Sequence, residues 1–71
     1  MKRVALTSRS LRSLGYDPEG QVLEVEFSSG ALYRYEGVPP EAVQALLEAD
    51  SLGQHFNQVF KPQHYRYLRV D

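Results

Sequence analysis

Residues 27–40 read Phe-Ser-Ser-Gly-Ala-Leu-Tyr-Arg-Tyr-Glu-Gly-Val-Pro-Pro, and this stretch decides the fold. It predicts a hairpin turn, then a strand with Tyr-Arg-Tyr at its centre, then the start of a helix. Immediately before the turn, Leu23, Val25 and Phe27 alternate with polar residues. A period of two is typical of an antiparallel strand with one buried face. We therefore expect a β-hairpin about this turn.

The turn Ser28-Ser29-Gly30 allows two strand registers that differ by one residue. A two-residue loop would bring Arg34 and Glu36 to the core face, because a one-residue slip moves every side chain to the other face. A three-residue loop with Gly30 in a left-handed conformation keeps the apolar residues together, so it is the predicted register. It pairs Phe27 with Ala31, Val25 with Tyr33, and Leu23 with Tyr35. It also places Glu24 opposite Arg34 on the outer face.

The residues before this hairpin predict further strands. Residues 4–6 could form a short strand, and residues 11–16 are expected to form a longer one, although their apolar positions fit neither the helical nor the strand period. Residues 17–20, Asp-Pro-Glu-Gly, predict a turn: the Asp17 carboxylate can accept from turn amides, and Gly20 can take positive φ.

The residues after the hairpin predict two helices and a last extended segment. The first helix is expected to run from Glu41 to about Asp50 on an apolar stripe of Ala42, Val43, Leu46, Leu47 and Ala49. Ser51 and Gln54 match a capping box, which predicts a short second helix through about Asn57, ended by Lys61-Pro62. Its expected core residues are Leu52, Phe56 and Val59. Residues 65–70 alternate again and predict a last strand or an extended tail.

Length and composition indicate one small domain covering residues 1–71. The expected fold is α+β, with an antiparallel meander of three strands and a possible fourth from the C-terminus, packed against one or two helices. The chain has no Cys, which is consistent with a reducing compartment. No apolar run reaches the roughly 18 residues of a membrane span, and no signal-peptide core is visible. We expect a cytoplasmic protein with no membrane partner.

Charge is distributed unevenly along the chain, although the net charge is only −1. Residues 1–16 and 51–70 carry basic but no acidic residues, and residues 17–50 carry eight of the nine acids and the single base Arg34. The two ends could form one basic face if they meet in space. Alternatively, surface pairing with the acidic middle would simply neutralise them.

Tyrosine and basic residues are interleaved near both ends, a composition suited to nucleic acid because rings stack on bases and cations bind phosphates. The predicted contact residues are Arg9, Arg12, Tyr16, Lys61, Tyr65, Arg66, Tyr67 and Arg69. Tyr33 and Tyr35 fall on the core face, where they are expected to pack under the helix; a stacking platform would require that face to be open.

The sequence gives little support for catalysis or metal binding. His55 and His64 are the two imidazoles, and their nine-residue separation does not match a metal-ligand pattern. No serine is accompanied by a base and an orienting group. We therefore expect no catalytic residue, no metal, no cofactor and no enzymatic activity. Gly53 is unusual within a helical turn and is expected to allow close packing.

Taken together, the pattern resembles the KTSC domain over residues 8–67. The resemblance lies in Ser10, Gly15-Tyr16-Asp17, Leu23-x-Val25-x-Phe27-x-x-Gly30, Tyr33-x-Tyr35-x-x-Val38-Pro39, Leu46, Ala49-x-Ser51-x-Gly53-x-x-Phe56-Asn57 and Tyr65. That family occurs at the C-terminus of some lysyl-tRNA synthetases and as small stand-alone bacterial and phage proteins. The resemblance implies an RNA-binding role, suggested by the synthetase fusion, and it implies no catalytic residues.

Two functional hypotheses follow from the sequence. The first is a module that binds RNA or single-stranded nucleic acid through the basic ends and their tyrosines. The second is a protein-interaction or homo-oligomerisation module that uses an exposed edge strand bearing Val4, Leu6, Leu68 and Val70. The position of the two basic ends relative to each other distinguishes them best.

Overall fold

The computed structural model describes residues 2–70, which form a five-stranded antiparallel sheet with two helical segments on one face. The strands are β1 (Lys2–Ala5), β2 (Leu11–Asp17), β3 (Val22–Phe27), β4 (Leu32–Glu36) and β5 (Arg66–Arg69). Helix α1 is Pro40–Glu48, and α2 (Leu52–His55) continues as a π-helical turn (Phe56–Phe60) and a 3₁₀ turn (Lys61–Gln63). We call residues 52–63 the second helical segment.

The sheet is a simple meander with the order β1-β2-β3-β4-β5, so β1 and β5 are its edges. This confirms the predicted α+β class and antiparallel meander. The sheet has more strands than expected because residues 2–5 also pair with β2, in addition to the C-terminal strand that pairs with β4. In residues 2–70, no helix is long and apolar enough to cross a membrane.

The central hairpin has the predicted three-residue loop. The amide of Phe27 donates to the carbonyl of Ala31 at 2.9 Å, and Gly30 takes φ +98°. Leu23 pairs with Tyr35, and Glu24 pairs with Arg34. The hydrophobic pattern therefore selected the correct register, since any slip would have turned Tyr35, which is buried, to the other face.

A β-bulge explains why the spacing of apolar residues in β2 fitted no simple period. Leu11 pairs with Phe27 and Ser13 pairs with Glu26, so one extra residue is inserted between them. The insertion lets both Leu11 and Leu14 face the helices, where they are 0% and 3% exposed.

The core lies between the sheet and the helical segments. Its buried side chains are Leu11, Leu14, Leu23, Val25, Tyr35, Val38, Val43, Leu46, Phe56 and Phe60. The Tyr16 hydroxyl donates to the carbonyl of Val38 at 2.6 Å, which ties β2 to the chain just before α1. Burial, followed by the charges of Glu41 and Asp17, raises the pKa of Tyr16.

The second helical segment departs most from the expectation. It runs to Gln63 rather than ending near Asn57, because Lys61-Pro62 begins a 3₁₀ turn in which Pro62 needs no amide donor. The expected core position Val59 is wrong: Val59 is 46% exposed, and Phe60 is buried in its place. Phe56 and Phe60 instead lie on one face across the π-helical turn, with stacked rings whose centroids are 5.1 Å apart.

Two further local expectations were wrong. Leu47, placed on the buried stripe of α1, is 43% exposed. In the turn after β2, the amide of Glu19 donates to Asp17 as expected, but Gln21 rather than Gly20 takes positive φ, at +54°. From that conformation the Gln21 carbonyl accepts a hydrogen bond from the amide of Val38.

The outer face of the sheet carries an ordered row of charges. Arg3, Gly15 and Glu24 occupy neighbouring register positions on β1, β2 and β3. Because Gly15 has no side chain, Arg3 can reach across β2 and bind Glu24, which also binds Arg34 at 2.9 Å. Ser13 is buried beside this row and bonds to Arg3 and Glu26.

Candidate functional site

A cavity of about 680 Å³ opens where three segments of the chain meet on the helix-bearing side of the sheet. These segments are the loop after β1, the β3–β4 turn, and the end of the second helical segment with the residues that follow it. We call it the tyrosine cavity. Its lining residues are Arg9, Ser10, Phe27, Ser28, Ser29, Ala31, Tyr33, Tyr35, Phe60, Lys61, His64, Tyr65 and Tyr67.

Three tyrosines from the last two strands form one wall of the tyrosine cavity. Tyr35 and Tyr67 are register partners, with ring centroids 5.3 Å apart, and Tyr33 lies 5.8 Å from Tyr67. Tyr35 is buried, whereas Tyr67 is 60% exposed. Tyr67 is therefore an aromatic ring supported by two others and accessible from outside.

Two more rings extend this aromatic surface. Tyr65 packs on Phe60 with centroids 4.9 Å apart, and Phe27 meets Tyr33 edge-to-face at 5.5 Å. Phe27 also contacts Phe56 of the core edge-to-face. These contacts fix the orientations of the lining rings, since each is packed against at least one other ring.

Burial changes the acidity of the innermost tyrosine. It raises the pKa of Tyr35 to about 12, with smaller contributions from the nearby hydroxyls of Tyr67 and Tyr33. The Tyr35 hydroxyl is therefore neutral at physiological pH and can act as a donor or acceptor, not as an anion.

Basic side chains reach the same cavity from the two ends of the chain. Arg9 comes from the loop after β1, and Lys61 from the end of the π-helical turn, where its ammonium lies 5.8 Å from the Phe56 ring centroid. His64 also lines the cavity from a left-handed backbone position with φ +58°. Arg9 and Lys61 are both exposed, so their charges are available to a ligand.

Hydrogen bonds within the loop and to the β3–β4 turn hold the loop that carries Arg9. The Ser8 hydroxyl accepts from the amide of Ser10 at 3.2 Å, and the carbonyl of Ser10 accepts from the amide of Ser28 at 2.9 Å. Gly53 lies close to this loop, since a Cβ there would be 3.4 Å from the Ser8 hydroxyl. The second helical segment therefore passes close to this loop, but the distances leave room for a methyl group at position 53.

The structure brings together four of the eight predicted contact residues. Arg9, Lys61, Tyr65 and Tyr67 line the tyrosine cavity. The first and last strands, however, lie at opposite edges of the sheet, so the two basic ends do not form one continuous face. The nucleic-acid hypothesis thereby loses the basic face that supported it, and it depends on the residues of the tyrosine cavity alone.

The other four predicted residues lie elsewhere. Arg12 donates to the carbonyl of Ser28 at 3.1 Å and lies 3.6 Å from Glu26, and Tyr16 is bonded to Val38. Arg66 is the register partner of Glu36 on the outer face, and Arg69 is the partner of Tyr33. Arg12 and Tyr16 are thus held by contacts within the protein.

Sequence reasoning missed several lining residues. Phe60 was outside the expected second helix, and Ser28 and Ser29 were considered only as turn residues. One signal was available: the serines follow Phe27, a core-face residue, so their turn had to lie at the end of the core. In residues 2–70, no three His, Cys, Asp or Glu side chains are grouped as metal ligands would be.

Comparison with known proteins places the chain in a family. Residues 7–67 match the model of the KTSC domain. A crystal structure of a KTSC domain protein from Yersinia pestis superposes with a TM-score of 0.91 and 33% identity, covering 99% of this chain and 97% of that one. The chain belongs to the KTSC domain family.

Sequence relatives include both stand-alone proteins and a segment of a larger enzyme. An uncharacterised protein from Stutzerimonas stutzeri is 87% identical over 71 residues, covering all of both chains. A lysine–tRNA ligase from Nostoc punctiforme is 41% identical over 51 residues, which are 72% of this chain but 9% of the ligase. The similarity to that enzyme is thus confined to a small part of it.

Proposed function

We propose that this protein is a small binding module for RNA or other single-stranded nucleic acid, and that the tyrosine cavity is its binding site. The observation that carries the proposal is the convergence of Arg9 and Lys61 on an accessible aromatic wall that includes Tyr67. Cations beside stacked rings are the combination by which single-strand binders hold phosphates and bases together.

The occurrence of a similar segment in a lysine–tRNA ligase supports an RNA ligand. When an RNA-binding domain is attached to an enzyme whose substrate is a tRNA, a tRNA held by the enzyme is at a high effective concentration for the domain. The two contacts together then bind more tightly than either one alone.

A binding titration tests the proposal. A fluorescently labelled 12-nucleotide single-stranded RNA and a tRNA are titrated at 25 mM and 150 mM salt and followed by anisotropy. We expect dissociation constants tighter than about 10⁻⁴ M at low salt, weakening as salt rises because counterions are released on binding. Affinity weaker than that at low salt, for both RNAs, rules out the proposed function.

Strand addition at a sheet edge is a second candidate function. Val4 on β1 and Leu68 on β5 are 47% and 45% exposed on the two edge strands. Arg66 and Arg69 flank Leu68, and like charges oppose the pairing of two β5 strands. This favours an acidic protein segment over a second copy as partner. Sedimentation equilibrium from 5 to 500 μM tests self-association, and a constant monomer mass excludes it.

A further inference from the structure

We infer that the tyrosine cavity accepts one or two unpaired nucleotides without regard to base identity, stacking the bases on Tyr67 and its neighbours and binding the phosphates with Arg9 and Lys61. The inference rests on the proposed function and specifies its ligand class. It follows from the aromatic and basic side chains that line the cavity, and from the absence of Asp, Glu, Asn and Gln among the described lining residues.

The aromatic wall offers faces rather than base-specific contacts. Tyr67 is 60% exposed and backed by Tyr33 and Tyr35, and Tyr65 is held against Phe60. Every base has a π-face, so stacking on such rings tolerates all four bases. A base paired in a duplex is already stacked on both sides, so this wall selects unpaired nucleotides.

Side chains that discriminate between bases are nearly absent from the lining. Of the residues in 2–70 that line the cavity, none is Asp, Glu, Asn or Gln. Asn and Gln recognise adenine with two hydrogen bonds, and Asp and Glu accept a hydrogen bond from the amino group of cytosine. The hydroxyls of Ser10, Ser28 and Ser29 can donate or accept, so they fit any base edge or a phosphate oxygen.

The absence of carboxylates has an electrostatic consequence as well. Arg9 and Lys61 face the cavity without an acidic lining residue in the described part of the chain to neutralise them. The positive charge of the cavity therefore favours an anionic ligand. In a single-stranded nucleic acid, the anion next to each unpaired base is the backbone phosphodiester.

Arg9 and Lys61 are lining side chains that could also read a base, since arginine and lysine can both bond bidentately to guanine. The experiment must separate that role from phosphate binding. The ¹⁵N-labelled protein is titrated with the trinucleotides UUU, CCC, AAA and GGG and with an abasic trinucleotide of equal charge, and amide shifts are followed by NMR.

We expect all four base-containing trinucleotides to shift cavity amides with dissociation constants within about threefold, and the abasic one to bind at least about fivefold more weakly, the lower end of one stacked base. Preference for one base above about fivefold overturns the inference and leaves the proposed function standing. Equal binding of the abasic strand also overturns it. No binding by any trinucleotide, by the 12-nucleotide RNA or by the tRNA overturns the proposed function itself.

Two variants of one residue localise the stacking. Tyr67→Ala should weaken all four trinucleotides by a similar factor of about five or more, whereas Tyr67→Phe, which keeps the ring, should bind like the wild type. The amide spectrum of each variant shows whether it is folded. Unchanged affinity in folded Tyr67→Ala contradicts stacking at this position.

Discussion

Arg9 and Lys61 line the same cavity, although one lies in the loop after β1 and the other near the end of the second helical segment. The charge pattern along the sequence left open whether the two basic ends meet in space or are neutralised by the acidic middle. The structure places the terminal strands at opposite edges of the sheet and brings only selected side chains together. The candidate site therefore combines a loop, a turn and the end of a helical segment with a wall of tyrosines from β4 and β5.

This convergence predicts the salt dependence of single-strand binding. Each phosphate contact to a single strand contributes a slope of about −0.7 in a plot of log K against log salt, so Arg9 and Lys61 together predict about −1.4. Arg9→Gln and Lys61→Gln should each reduce the slope by about 0.7, as measured by anisotropy at four salt concentrations.

The matched control for those variants is Arg66→Gln. Arg66 is exposed and is the register partner of Glu36 on the outer face of the sheet. Its replacement by Gln therefore changes the net charge by the same amount as the other two substitutions, but at a position away from the cavity. We expect its slope to equal that of the wild type. Equal reductions in all three variants would show that binding depends on total charge and not on the cavity.

The Arg3–Glu24–Arg34 row predicts a stability effect on the other face. Glu24 is 12% exposed at its side chain and contacts two arginines that are 38% and 45% exposed. Pairs with such exposed partners contribute about 0.2–1 kcal/mol each, so Glu24→Gln should cost about 1 kcal/mol. In a domain of this size that lowers Tm by roughly 4–8 °C in a thermal melt.

Two controls separate the ion pairs from a general charge effect. Glu19→Gln removes the same charge from an exposed turn position and should leave Tm nearly unchanged. Raising salt to 1 M should narrow the difference between wild type and Glu24→Gln, since screening weakens exposed pairs. A difference that does not depend on salt would assign the loss to packing instead.

The sequence predicted the hairpin and the α+β class because both depend on local signals. Alternation in residues 21–28 and the single glycine at position 30 leave one register that buries apolar side chains. The sequence did not predict where the second helical segment ends, because its end depends on a tertiary contact that has no local sequence pattern. Phe60 enters the core because the π-helical turn aligns it with Phe56, and no local pattern separates it from Val59.

The site was predictable only in part, and for a related reason. The Tyr and Arg composition predicted contacts at Tyr65 and Tyr67, which line the tyrosine cavity from the position before β5 and from β5 itself. The sequence could not show that Arg9 would join them while Arg12 turned to Glu26, because that outcome depends on the bulge in β2. A cavity lined by several separate segments of the chain is fixed by tertiary packing.

Gly53 predicts opposite effects for small and large substitutions. A Cβ there would lie 3.4 and 3.5 Å from the hydroxyls of Ser8 and Ser10, which is ordinary contact. Gly53→Ala should therefore raise the free energy of unfolding by about 0.5 kcal/mol, through helix propensity and a less flexible unfolded chain. Gly53→Leu should displace the loop that carries Arg9 and lower both stability and affinity for single strands.

Urea unfolding of both variants tests this, with Ala45→Gly as the reference for propensity alone. Ala45 is exposed within α1, so its replacement by glycine should cost about 1 kcal/mol without a packing change. If Gly53→Ala is less stable than the wild type, the second helical segment approaches the loop too closely for any side chain.

Tyr35 predicts a loss of stability at alkaline pH. Its pKa is raised from 10.0 to about 12, chiefly by burial, so the folded protein keeps a proton that the unfolded chain releases above pH 10. The unfolded state then binds fewer protons, and the free energy of unfolding falls as pH rises. This contribution is fully present below pH 10, is lost between about pH 10 and 12, and amounts to at most about 3 kcal/mol.

Urea unfolding at pH 8, 10, 11 and 11.5 measures this dependence, and Tyr35→Phe is the matched variant. Phenylalanine keeps the ring that packs against Phe56 and Phe60 but has no proton to lose, so its stability should fall less steeply above pH 10. A smaller slope should remain in the variant, because the pKa of Tyr16 is also raised. Parallel slopes in the two proteins would mean that Tyr35 ionises as easily in the folded state as in the unfolded one, and that its hydroxyl is reached by water through the tyrosine cavity.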